Sequence, residues 1–294
     1  MMELLIIALL IDVIFGEPPL FMHPVVWMGK LINLLVRRKV KHLKLYGFFI
    51  AMLCITISII AGIIISWLSK GFFIVVAAYF LKSSFSIRMF LLSAMEIKRE
   101  LELGNIDKAR ENLKTFVGRD TSQLDEYHSA SAVIESLAEN FVDGILSPIF
   151  YFLIFGLPGA LAYRAINTLD SMIGYKNESF GEIGYVSAKI DDIANFLPSR
   201  LSVIFIFIAS LFFGNAFQAL KTFINDHDKT PSPNSGLSMS MISGALGIRL
   251  EKTGCYVIGE EYELPRPYHI QKAGNIIGFA SLIVIVGILV SCNF

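Results

Sequence analysis

Residues Leu45 to Leu68 read LYGFFIAMLCITISIIAGIIISWL, 24 residues without a charge. At 1.5 Å of rise per residue such a run crosses the roughly 30 Å hydrocarbon core, which needs about 20 residues. The stretch predicts a transmembrane helix, and the fold class follows from it: an all-α polytopic membrane protein. Working outward, Phe72 to Ala94 reads as a second crossing if Lys82 and Arg88 face protein or snorkel. Leu201–Leu220 and Asn275–Val290, the latter extendable from Gly274 to Cys292, complete about four to five spans. Leu4–Phe15 is an apolar run broken by Asp12. Glu3 stands before it where a signal peptide carries basic residues, so it reads as a retained membrane-entering helix.

The basic run from Arg37 to Lys44, five positive charges in eight residues, belongs on the cytoplasmic side. Lys70 then lies outside, and the polar stretch of about 96–200 returns to the cytoplasm as the catalytic region of one membrane-embedded domain, 1–294. Within it, Ile145–Ala162 is apolar enough to cross. Pro148 and Gly156-Leu157-Pro158-Gly159 break its helix, so it reads as a re-entrant or surface-buried hairpin. The same parity count puts 225–273 outside if Leu201–Leu220 crosses.

Composition narrows the function. The chain of 294 residues is 54% hydrophobic and 17% charged, with 25 basic against 25 acidic residues. Average soluble domains are roughly 25% charged. A chain without basic excess has no footprint for phosphate backbones, so nucleic acid is not a partner. Cys54, Cys255 and Cys292 form no CxxC pair, which excludes a zinc site or disulfide framework of the usual spacing.

Three polar faces remain. A helix starting near Thr121, capped by Asp120, puts His128, Glu135, Glu139 and Asp143 within about 80° of one another, with Asp125 on the same stripe. The row ends at apolar chain instead of open water; a solvated face is the plainer reading of it. Next, Arg164, Asn167, Asp170, Ser171 and Gly174 share about 120° of helix opposite Ile166, Leu169, Met172 and Ile173. Arg164 and Asp170 are six residues apart, too far round the helix to pair, so their partners come from elsewhere. A third block holds Lys189, Asp191, Asp192, Asn195 and Arg200, whose adjacent acids suit a hydrated Mg2+ or simply a helix surface. Ser232-Pro233-Asn234-Ser235-Gly236 ahead of Gly244-Ala245-Leu246-Gly247 reads either as a phosphate cradle at a helix start or as small residues allowing close packing. P-loop, GxSxG and HExxH motifs are absent from the sequence.

Gly118-Arg119-Asp120-Thr121-Ser122, Ala138-Glu139-Asn140 with Asp143-Gly144, Tyr163-Arg164-Ala165, Asn167-Thr168-Leu169-Asp170-Ser171-Met172, Gly174-Tyr175-Lys176-Asn177-Glu178, Asp191-Asp192, Pro198-Ser199-Arg200 and Ser232-Pro233-Asn234 occur in that order, as does the opening Asp12, Gly16-Glu17-Pro18-Pro19 and His23-Pro24-Val25. From about residue 4 to 250 the chain resembles the membrane-bound adenosylcobinamide-phosphate synthase family of cobalamin biosynthesis. Glu17 in place of Asp and Ser147 in place of Ala are its departures.

The resemblance implies ATP-dependent amide ligation, joining a propionate of adenosylcobyric acid to aminopropanol or its phosphate. A carboxylate is a poor electrophile, so ATP with Mg2+ must first activate it, and the amine must lose a proton. On this basis Glu139, Asp143, Asp191 and Asp192 are expected on the Mg2+ and nucleotide side, the last two as metal ligands. Arg119 and Arg164 are expected as phosphate clamps, with Ser232 and Asn234 in the cofactor cradle. Asn167 and Asp170 would position the amine or propionate, and His128 or a carboxylate would take the proton. Asp12, Glu17 and His23 complete the site from the N-terminus, or act as a helix cap and a satisfied buried histidine. The expected partners are the corrinoid, aminopropanol or its phosphate, the lipid bilayer and other membrane-bound cobalamin-assembly enzymes. The rival classes are a corrinoid-precursor transporter, against which the lack of an internal repeat speaks, and a catalytically idle membrane sensor.

Overall fold

A computed structural model describes residues 1–37, 42–69, 71, 73–174 and 182–291. Arg38, Lys39 and Lys41 of the basic run, Lys70, Tyr175 to Glu178 of the motif that begins at Gly174, and Cys292 lie outside the described residues. The protein is helical, with one two-stranded antiparallel hairpin pairing Leu250–Lys252 with Tyr256–Ile258. Four helical stretches are long and apolar enough to cross a membrane: Leu43–Leu68, Glu126–Ile173, Phe196–Phe213 and Pro267–Ser291. The chain forms two compact units, Met1–Ser86 with Asp143–Asn195, and Ile87–Val142 with Phe196–Phe294.

In the first unit the Leu43–Leu68 helix exposes Leu45, Phe49, Ile60, Ile63 and Trp67 along its whole length. That is the surface a lipid-facing helix presents. Its opposite stripe, Gly47, Ile50, Ala51, Cys54, Ser58 and Gly62, is buried at three- and four-residue spacing. Against it lies the second half of the Ser147–Ile173 helix. That helix breaks at Gly156 (φ 66°, ψ −158°), a conformation open to glycine alone. Ser147 Oγ and Tyr163 Oη both reach Asn195 Oδ1, at 2.7 and 2.8 Å. Sixteen residues of straight helix would hold them about 24 Å apart. The chain therefore doubles back at Gly156, and the expected hairpin is present.

Pro158 at the tip meets Gly62, where a Cβ would lie 2.5 Å from the proline Cα. Leu169 and Ile173 pack in one cluster with Ile50, Ala51 and Cys54. The Leu157–Ile173 limb thus runs antiparallel beside the spanning helix, and its polar face sits at membrane depth. The expected crossing at Phe72–Ala94 is corrected. Its helix, Phe73–Lys82, has ten residues and ends as Ser83 and Ser84 hydroxyls bond the carbonyls of Phe80 and Leu81. A new helix, Arg88–Glu102, follows in the other unit. Lys82 halts the first helix because it is committed to buried acids, described below.

In the second unit the expected Leu201–Leu220 span is Phe196–Phe213. Gly214 and Asn215 divide the run, and Asn215 caps the next helix, Ala216–Asp226, by accepting from Gln218 N. Asn234 then returns to the start of the Phe196–Phe213 helix, its Oδ1 accepting from Ser199 Oγ at 3.1 Å and Arg200 Nη1 at 3.2 Å. Further on, Glu251 N donates to Ser131 Oγ at 2.9 Å and Tyr256 Oη to Glu135 Oε2 at 2.7 Å. Residues 250–258 therefore share a side of the membrane with 131–135, which overturns the parity count that separated them. The helix expected from Thr121 begins at Glu126. Asp125 caps it by accepting from His128 N at 2.8 Å, while Asp120 is used in a turn to Ser122 N. Both aspartates can cap, and the one nearer the apolar run does.

Candidate functional site

The first unit carries a buried charge network that sequence reasoning reached only in pieces. Lys82, with no exposed surface, places Nζ 3.1 Å from Asp12 Oδ1 and 2.5 Å from Glu17 Oε1. Glu17 Oε2 lies 2.9 Å from His23 Nε2. Val25 N donates to His23 Nδ1 at 3.2 Å, so the imidazole proton sits on Nε2 and points at Glu17. Burial works to raise the Glu17 carboxyl. Hydrogen bonds from His23, the Lys82 charge and bonds from Lys82 and Ser86 outweigh it and hold the group at about 2. Asp12 was readable as an interruption in an apolar run and Lys82 as an intrusive cation; their partnership spans some seventy positions of chain.

The predicted polar face of the hairpin limb exists. Arg164 Nη1 donates to Asn167 Oδ1 at 3.1 Å. Glu17 and Asp143 lie within electrostatic reach of Arg164, as do Asp143 and Asp191 of Tyr163, and Asp192 of Asp170. Asp143 belongs to a π-helical turn, Phe141–Leu146, which shifts its phase relative to the preceding helix. Asp191 and Asn195 make the expected i, i+4 contact, with Asn195 Nδ2 donating to Asp191 Oδ2 at 3.0 Å. Asp192 instead accepts from Lys189 at 3.2 Å. The adjacent acids thus face different partners. Among the described residues no group of three or more His, Cys, Asp or Glu side chains is placed to hold a metal ion.

The remaining predicted residues belong to the second unit. Arg119 Nη1 and Nη2 lie 3.3 and 3.4 Å from the Glu135 oxygens, which also accept from Ser131 and Tyr256. Glu135 is 4% exposed, so this part of the acidic row is no solvated face. Burial first, and then the Glu135 charge, pushes the Tyr256 hydroxyl up, with Glu139 adding to it. Tyr256 reaches in from the strand hairpin and carried no signal in the sequence. His128 Nδ1 is 2.7 Å from Asp125 at the helix start. Ser232 Oγ accepts from Asn234 N in the turn ahead of the Ser235–Leu246 helix. In that helix Gly244 sits where a Cβ would meet Thr222 Oγ1 at 2.5 Å, so its small residues serve close packing.

The structure thus gathers Asp143, Arg164, Asn167, Asp170, Asp191 and Asp192 in one unit, with Asp12, Glu17, His23 and Lys82. It gathers Arg119, His128, Glu139, Ser232 and Asn234 in the other.

Comparison with known proteins bears out the family resemblance. The family described as CobD/Cbib protein matches residues 5–277. A protein of Methanothrix thermoacetophila named "Probable cobalamin biosynthesis protein CobD" is 38% identical over 96% of this chain and 93% of its own. "Cobalamin biosynthesis protein CobD" of Dehalococcoides mccartyi is 41% identical over 88% of each chain. The Klebsiella pneumoniae protein of the same name is 38% identical over 88% of this chain and 84% of its own. No solved structure matches the chain. A polytopic α-helical chain with this match over nearly its whole length belongs to the CobD/Cbib protein family of cobalamin biosynthesis.

Proposed function

We propose that this protein is a ligase that joins aminopropanol, or its phosphate, to a propionate of adenosylcobyric acid at the expense of ATP. The observation that carries the reading is the membrane-depth polar face of the first unit. There Arg164 and Asn167 lie together with Glu17 and Asp143 in electrostatic reach of the guanidinium. Amide formation from a carboxylic acid and an amine needs a cation to hold the acid and carboxylates to hold, and then deprotonate, the ammonium. Both kinds of group are here, on a rigid hairpin that keeps water from one side.

ATP, when bound, supplies the activation of the carboxylate. Mg2+ arriving on nucleotide phosphates needs only one or two protein carboxylates. Asp191 and Asp192 are the residues to hold it. Asn167 and Asp170 orient the amine, and Asp143 accepts its proton. The polar region faces the cytoplasm, where ATP is made, and neighbouring membrane-bound enzymes of cobalamin assembly take the product.

A transport reading is favoured by one feature, the ten-residue Phe73–Lys82 helix ending at buried charges, as broken helices do in transporters. One experiment separates the two. Purified protein in lipid vesicles receives cobyric acid, aminopropanol or its phosphate, ATP and Mg2+. The ligase gives ADP release and an amide product that require both organic substrates. ATP-independent corrinoid uptake with no product overturns it.

A further inference from the structure

Beside the hairpin limb the first unit carries a half-open cavity of about 220 Å³. Pro24, Trp27, Leu31, Ile57, Phe80 and Leu161 give it an apolar wall, and Arg164 is its one charged lining residue. Ser58 and Ala61, which also line it, sit just past the middle of the 26-residue Leu43–Leu68 helix, so the cavity is at membrane depth. A guanidinium there is costly unless paired. Yet Arg164 makes no ion pair among the described residues. One of its five N–H donors goes to the neutral amide of Asn167, and its Nε, buried, has no partner.

We infer that Arg164 and this cavity bind a monocarboxylate carried on a short apolar stem, with the carboxylate on the guanidinium and the stem among the apolar walls. A planar fork of donors matches a carboxylate in two-point contact. The wall excludes a hydrated, strongly polar body. Glu17 and Asp143 already act on Arg164, so a second negative charge on the ligand, as on a phosphate, would meet repulsion. Two sources share this chemistry: the propionate arm of the corrinoid substrate, in which case the inference rests on the ligase reading, or a fatty acid from the bilayer.

The test reads binding alone, without ATP or amine, so it stands apart from the fate of the ligase reading. Trp27 lines the cavity, and the chain has one other tryptophan, Trp67. In full-length detergent-solubilised Trp67→Phe protein, 8-bromooctanoate is expected to quench Trp27 saturably, and 8-bromooctan-1-ol to bind at least tenfold more weakly. Arg164→Gln should weaken the acid at least tenfold and leave the alcohol unchanged. Ala61→Phe, which fills the cavity with the arginine intact, should abolish saturable quenching and guards against misfolding of the first variant. Radiolabelled octanoate displaced by cobyric acid identifies the substrate arm as the source; displacement by oleate alone identifies the membrane. Equal quenching by acid and alcohol, or acid affinity unchanged in Arg164→Gln, overturns the inference.

Discussion

Lys82 shows how much one side chain commits. It holds two carboxylates, Asp12 and Glu17, from inside the protein. Removing a buried partner leaves uncompensated charge, which costs about 3–5 kcal/mol. Lys82→Met should therefore lower the thermal unfolding midpoint in detergent steeply, and Asp12→Asn added to it should restore part of the loss. A single variant as stable as the parent refutes the account. Glu17 adds a pH dependence. Its folded pKa, about 2, lies below the ordinary 4.5, so its contribution is complete above about 4.5 and is lost as pH falls from there toward 2. Unfolding midpoints should fall across that window in the parent and less so in Glu17→Gln. In the second unit, Tyr256→Phe removes a 2.7 Å hydrogen bond to the buried Glu135, which also meets Arg119. The expected cost is about 1.5–3 kcal/mol by thermal unfolding, and none is expected from Tyr268→Phe, whose Glu263 bond is exposed.

Among the elements, the hairpin of Ser147–Ile173 positions the most. Its reversal depends on Gly156 at positive φ with extended ψ, a region closed to other residues at a cost on the order of 1–3 kcal/mol. At Gly159 a Cβ would approach Tyr151 O to 2.4 Å, so the two limbs touch through backbone. Gly156→Ala should lower stability by that order and abolish the proposed ligation, because Tyr163 and Ser147 would no longer meet at Asn195. A fully active Gly156→Ala protein contradicts the hairpin's role. The sequence announced this element through Pro148, Gly156, Pro158 and Gly159. It did not announce that the following limb, with Arg164 and Asn167, would lie along the spanning helix, since Gly62 reads equally well as an ordinary membrane-helix glycine.

At the scale of the molecule the question is which segments share a side of the membrane. In the second unit, Arg110 bonds Leu124 O and Thr121 bonds Arg110 O, tying the Ile106–Phe116 helix to the chain entering Glu126–Asn140. The 250–258 hairpin contacts that same helix. Pro267–Ser291 leaves from there with length to cross. In protein lacking Cys54 and Cys292, a membrane-impermeant thiol reagent should label native Cys255 and Asp107→Cys from one face of sealed vesicles. Ser291→Cys should label from the other. Opposite labelling of Cys255 and Asp107→Cys would restore the parity count and undo the assignment.

By itself the sequence determined the class of the protein, its hairpin and its family. Uncharged runs of sufficient length, chain breakers and short-range helical spacing are local properties, and the family motifs are linear. The tertiary structure alone decided that Lys82 answers Asp12 and Glu17, that Tyr256 and Arg119 meet on Glu135, and that Asn234 turns back to Ser199. Each is a pairing across many residues of chain, fixed by burial that leaves a charge or polar group no other partner, and no local pattern records it.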